Sequence, residues 1–103
     1  MKPQSKKIRA SAKGERCTLM LAPYCSFDPE TVVYCHINSP DNGIGLKASK
    51  DFFGVYGCQC CHQIIDGQNM SHSLSQEVIQ QSIIWALYRT QSKLIEKGLL
   101  VYN

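Results

Sequence analysis

Gly57-Cys58-Gln59-Cys60-Cys61-His62 sets three cysteines and a histidine within five residues, and its reading decides the fold. The Cys58-x2-Cys61 spacing brings two thiolates together on a tight turn, close enough to hold one zinc ion. Upstream, Cys17 and Cys25 bracket seven residues and supply a second paired-thiol arm. Thiolates are soft ligands that suit tetrahedral zinc, so Cys17, Cys25, Cys58 and Cys61 form the expected structural quartet. The Cys17–Cys25 spacing is the looser of the two and needs a bent segment to converge. His62 follows Cys61 directly, points elsewhere and can serve a different site. Cys60 and Cys35 are left over. Cys60 could displace a quartet member, whereas Cys35 reads as a small buried hydrophobe.

A chain of 103 residues is one domain that buries roughly 65% of its unfolded surface, and a metal staple would reinforce so modest a core. Six cysteines could also build a disulfide framework. Against that, the start Met1-Lys-Pro-Gln-Ser-Lys-Lys-Ile-Arg9 has no apolar stretch of the signal-peptide kind, and no apolar run approaches the ~20 residues of a membrane span. Thiols stay reduced in the cytosol, where clustered cysteines are more often metal ligands. The expectation is a cytoplasmic zinc protein with no membrane association.

The net charge of +3 is unevenly spread. Lys2, Lys6, Lys7, Arg9, Lys13 and Arg16 face only Glu15 in the first sixteen residues, while the remainder carries five basic against seven acidic side chains. Residues 1–16 therefore read as a basic, flexible N-terminal arm, and 17–103 as a single zinc-containing domain. Such arms commonly neutralise nucleic-acid phosphates, although a solvated tail that aids solubility has the same composition.

Thr31-Val-Val-Tyr-Cys-His-Ile37 is rich in β-branched and aromatic residues and predicts a strand, with Val32, Tyr34 and His36 on one face. A long connection with dense turn residues follows, from Asn38 to about Ser49; loops of this length in small domains are often functional. Asp51 to Gly57 predicts a second strand, and Gln59 to Asp66 a short helix with Gly67 in the C′ position. A longer helix is marked by Val78, Ile79, Ile83, Ala86, Leu87, Thr90, Leu94 and Ile95 at three- and four-residue steps, and Gly98 stops it. That stripe is most simply a packing face, flanked by Trp85 and Tyr88. The fold class is α+β.

His36 ends the first strand, His62 begins the short helix, and Asp66 lies one helical turn beyond His62. An imidazole and a carboxylate at that spacing can grip one divalent cation and leave coordination positions open. The plainer alternatives are a hydrogen-bonded strand histidine at 36 and, at 62, a zinc ligand replacing a thiolate. His72, in Met70-Ser-His-Ser73, reads as solvent-exposed.

These residues resemble the His-Asn-His (HNH, or His-Me finger) nucleases, whose ββα-metal finger has one histidine ending the first strand and another on the helix. More closely, the chain is similar to the YbcO-like nucleases of lambdoid prophages, relatives of the phage RecA-dependent nuclease Ref. The matching elements span nearly the whole chain: Lys13-Gly-Glu-Arg-Cys17, the gap to Cys25, Thr31 to Ile37 with His36, Gly45-x-Lys47, Asp51 before Cys58, Cys58-x2-Cys61-His62-x2-Ile65-Asp66-Gly67 and Arg89-Thr-Gln91. Two departures stand out. Asp51 occupies roughly the place of the middle asparagine, and Cys35 stands where many such nucleases carry an aspartate.

The resemblance implies a phage- or prophage-encoded DNA endonuclease in a bacterial host cell, a ββα-metal finger with a C-terminal packing helix, and a possible recombinase-filament partner. On that basis His36 is the expected general base, and His62 with Asp66 would hold a catalytic divalent metal such as Mg²⁺ or Mn²⁺. Lys6, Lys7, Arg9, Lys13, Lys47 and Lys50 would contact DNA. A non-catalytic, zinc-stabilised nucleic-acid-binding module fits the same quartet and basic arm. A protein-interaction domain using the Val78–Ile95 helix is a third reading.

Overall fold

The computed structural model describes residues 6–37 and 53–100. Its elements are helix α1 (Lys6–Ala10), a 3-10 turn (Pro29–Thr31), strand β1 (Val33–His36), strand β2 (Gly54–Gly57), helix α2 (Gln59–Ile65) and helix α3 (Gln76–Glu96). β1 and β2 form a two-stranded antiparallel sheet in which Val33 faces Gly57, Tyr34 faces Tyr56, Cys35 faces Val55 and His36 faces Gly54. The result is a small α+β fold with the ββα order and the C-terminal packing helix expected from the sequence.

β1 is shorter than its β-branched run suggests, and capping explains the difference. The Asp28 carboxylate accepts from the Glu30 N–H at 3.0 Å, and the Thr31 hydroxyl donates to the Asp28 carbonyl, also at 3.0 Å. These bonds pull Thr31 into the 3-10 turn. Tyr34 and Cys35 are both buried, so the sheet is covered on both faces at its centre and strict alternation of exposure is lost. Gly57 is forced by packing: a Cβ there would stand 2.9 Å from both Cys35 Sγ and Leu19 Cδ1.

Helix α2 begins at an N-cap supplied by Cys58 and ends with Asp66 at the C-cap and Gly67 at φ +76°. That is the left-handed C′ position, which glycine occupies without strain. α3 begins at Ser75, whose hydroxyl accepts from the Val78 N–H, and ends the same way at Gly98, φ +72°. Its stripe buries Ile79, Ala86, Thr90 and Leu94, while Trp85 and Tyr88 stand exposed, edge to face, with ring centroids 6.4 Å apart.

Thr90 is the polar member of that stripe, and it closes the open edge of β2. Its Oγ1 accepts from the Tyr56 N–H at 3.1 Å, and the Tyr56 carbonyl accepts from the N–H and hydroxyl of Thr18, each at 2.7 Å. The Arg89 guanidinium donates to the Thr18 carbonyl at 3.0 Å. One threonine and one arginine thus fix α3 to the strand and to the segment leading into the cysteines.

Within the segment expected to be a flexible arm, residues 6–16 make contacts with the rest of the fold. Ile8 and Ala12 are buried in the core, and Ser11 Oγ lies 2.6 Å from the Tyr56 hydroxyl. Glu15 and Ser11 are held by Lys97 from the far end of the chain, at 2.6 Å and 3.3 Å. Two apolar residues one helical turn apart, Ile8 and Ala12, give this segment a core-facing side that its charge count conceals.

Candidate metal centre and candidate active site

The turn between Leu21 and Cys25 bends the upstream arm back on itself. The Tyr24 and Cys25 N–H groups both donate to the Leu21 carbonyl, at 2.8 and 2.9 Å. Opposite it, the β2–α2 junction presents Cys58 at the cap and Cys61 in the first turn. The ligand atoms of Cys17, Cys25, Cys58 and Cys61 all lie within 4.8 Å of one another, and all four residues are buried. This four-cysteine cluster can hold a metal ion.

The donor set fits zinc. A tetrahedral ion about 2.3 Å from each sulfur separates the sulfurs by about 3.8 Å, and Cys25 Sγ stands 3.8 Å from Cys58 Sγ. That distance is far beyond the roughly 2.05 Å of a disulfide, and all six cysteines are free thiols. Backbone N–H groups point at the cluster: Leu21 donates to Cys61 Sγ at 3.4 Å, and Ser26 and Cys61 donate to Cys58 Sγ at 3.5 Å each. Such bonds stabilise thiolate charge where water cannot.

The sulfurs also set one another's ionisation. A hydrogen bond from Cys61 holds the Cys17 thiol down at about 4 and, reciprocally, pushes Cys61 up. Burial pushes Cys25 up to about 12. Four thiolates in so small a volume require a cation to share their charge. With every ligand buried and no open position, the arrangement has the closed character of a structural site.

Cys60, the unsettled residue of the Cys-Gln-Cys-Cys-His run, is half-buried and does not join the cluster. Cys35 is buried, and desolvation followed by the negative charge of Asp66 pushes its thiol up, as fits a small neutral core residue.

His62 is not a member of the sulfur cluster. Its Nε2 lies 2.8 Å from Asp66 Oδ2, with both side chains partly exposed, so the helical one-turn spacing does bring this pair together. His36 occupies the last position of β1 and packs edge to face against Tyr34, ring centroids 5.5 Å apart. Lys6, Lys7, Arg9 and Lys13 are all exposed around α1, which turns Ile8 inward. Lys47, Lys50 and Asp51 lie outside the described residues. His72 is half-buried rather than exposed, because its Nδ1 accepts from the Leu74 N–H at 3.1 Å and its ring meets Tyr24. The backbone donors of Leu21 and Ser26 carry no side-chain signal in the sequence. The only cue to them was Pro23, which marks a turn between the first two cysteines.

A family model described as "Putative nuclease YbcO" matches residues 6–99. The solved structure of a putative bacteriophage protein from Escherichia coli str. K-12 substr. MG1655 matches with a TM-score of 0.72 at 25% identity, over 89% of this chain and 100% of that one. No curated protein matches.

Proposed function

The chain belongs to the family described as "Putative nuclease YbcO", and we propose that it is a metal-dependent DNA endonuclease that hydrolyses phosphodiester bonds. The observation that carries this reading is the placement of two histidines on one ββα unit: His36 at the end of β1, and His62 on α2 facing Asp66 at 2.8 Å. The family has a nuclease description, and these are the imidazoles on the two elements such a finger uses.

His36 would accept a proton from the water that attacks the phosphorus in line. Removing that proton as the bond forms keeps the nucleophile from carrying positive charge into the transition state. His62 Nε2 and Asp66 Oδ2 stand 2.8 Å apart and would offer a mixed nitrogen and oxygen donor pair, the kind a divalent cation such as Mg²⁺ or Mn²⁺ accepts alongside water and phosphate oxygens. Bound there, such an ion would supply charge stabilisation at the departing 3′ oxygen. A zinc ion on the four cysteines would fix α2 against the upstream arm and take no part in the reaction. Lys6, Lys7, Arg9 and Lys13 would meet the phosphates. The setting on this reading is a phage or prophage product acting on DNA in the bacterial cytoplasm.

The test is nicking of supercoiled plasmid with added magnesium or manganese. His36→Ala should lower the rate by about 10²–10⁴-fold, the usual cost of losing a general base, while elemental analysis still finds the zinc. Parent-like nicking by that variant would sink the mechanism. The direct His62–Asp66 contact also suits a second reading, a binding module in which the pair only locks α2. One zinc per chain, DNA binding and no metal-dependent cleavage by the parent protein would select it.

A further inference from the structure

A cleft of about 580 Å³ opens beside the cysteine cluster, walled by Cys17 and Thr18 on one side and by α3 on the other. Its volume lies within the roughly 300–1,000 Å³ typical of small-ligand sites. Arg16, Arg89 and Lys93 line it, and so do Met20, Phe27 and Pro29. None of these six has a place in the hydrolytic mechanism.

The charge in this cleft is net positive. The carboxylate at its edge, Glu15, is already engaged by Lys97 at 2.6 Å. Arg16 is exposed and has no ion-pair partner among the described residues. Among the described residues Lys93 pairs with Glu96, at 3.6 Å on the exposed side of α3, a pair of the kind that contributes little. Arg89 is different, because its bond to the Thr18 carbonyl anchors the guanidinium in the wall.

The apolar residues add the second half of the chemistry. Phe27 is 62% exposed and Met20 41%, so both present apolar surface to solvent at the cleft. Both also sit at positive φ, +54° and +49°, a conformation that non-glycine residues rarely adopt. Strained backbone of this kind tends to be kept at ligand clamps.

We propose that this cleft binds one nucleotide unit of a single DNA strand, with a base stacked on Phe27 and the adjoining phosphates held by Arg16 and Lys93. A cationic track beside an exposed aromatic ring is the general device for holding unpaired strands. A duplex keeps its bases stacked on one another and offers no free face to Phe27. The proposal shares with the nuclease reading only the kind of ligand. Its test reads binding without added magnesium or manganese, so the two can fail separately.

The measurement is fluorescence anisotropy of a short fluorescein-labelled oligothymidylate titrated with the zinc-loaded protein. Phe27→Ala should weaken binding about ten-fold, within the range for loss of one base–aromatic stack, and Phe27→Trp should restore it. Arg16→Glu and Lys93→Glu should each weaken binding and flatten the dependence of log K on log salt by about 0.7 per lost phosphate contact. Trp85→Ala, which removes an exposed aromatic outside the cleft, should leave binding unchanged. Zinc content and thermal unfolding of each variant establish that it is folded. Parent-like affinity of folded Phe27→Ala would overturn the proposal, as would an equal loss in Trp85→Ala. Displacement by thymidine monophosphate as effective as that by unlabelled oligonucleotide would make the cleft a mononucleotide site instead and would also overturn it.

Discussion

Cys60 and Cys61 are adjacent in the chain, yet the helix sends their side chains about 100° apart, and only Cys61 reaches the sulfur cluster. The two therefore separate the metal site from its surroundings in one experiment. Cys61→Ser removes a buried soft ligand and leaves a hydroxyl that zinc accepts poorly. It should abolish stoichiometric zinc retention after dialysis and, with the ion, the cooperative thermal transition. Cys60→Ser, at a half-buried position outside the cluster, should keep one zinc per chain and change stability by less than about 1 kcal/mol. Zinc loss from Cys60→Ser would show that the cluster recruits a different sulfur. At this scale the Cys-x2-Cys spacing was informative because it fixes two ligands on one turn. It could not distinguish Cys60 from Cys61, because that choice depends on where Cys17 and Cys25 arrive from another part of the chain.

Among the elements, the least obvious bond from sequence is the one between α3 and β2. The strand has an unpaired edge, and Thr90 answers it from the middle of an apolar stripe. Thr90→Val keeps the shape and removes the acceptor, which leaves the Tyr56 N–H buried without its partner and strips the Thr18 hydroxyl of a neighbour 3.2 Å away. The expected cost is about 1–3 kcal/mol, read as a lower urea midpoint with zinc content unchanged. A variant as stable as the parent would show that water or a shifted strand satisfies Tyr56 instead. Helices α2 and α3 were legible because their stop signals, Gly67 and Gly98, are glycines at positive φ, and because the apolar steps of α3 repeat at the helical period. The start of β1 was less legible, since Thr31 has strand chemistry but also a hydroxyl that bonds back to Asp28. Helix α1 was hidden by its own composition: Lys6, Lys7 and Arg9 mask the inward side chain of Ile8.

Over the whole molecule, the cysteine cluster joins segments that the chain itself keeps far apart. Cys17 and Cys25 lie before the sheet, and Cys58 and Cys61 lie after it, so one ion would close a loop running through β1 and β2. Closing such a loop removes conformational freedom from the unfolded chain, and the ion's binding free energy adds directly to folding. Structural zinc in small domains contributes about 10–16 kcal/mol, whereas a whole domain of this size is stable by only about 5–15 kcal/mol. The hydrophobic core around Leu19, Leu21, Val55 and Leu94 is therefore not expected to hold the fold by itself. Removing the metal with a chelator under reducing conditions should abolish the cooperative thermal transition and much of the far-ultraviolet helical signal, and stoichiometric zinc should restore both. Protons compete with the cation for the same four sulfurs, so acidification should have the same effect as chelation: stability is held where the thiolates are metal-bound and falls as the pH drops. Titration of zinc release against pH, followed beside circular dichroism, checks the coupling. Coincident curves are the expected result. A chain that keeps its cooperative unfolding after losing its metal would show instead that packing between α3 and β2 holds the fold.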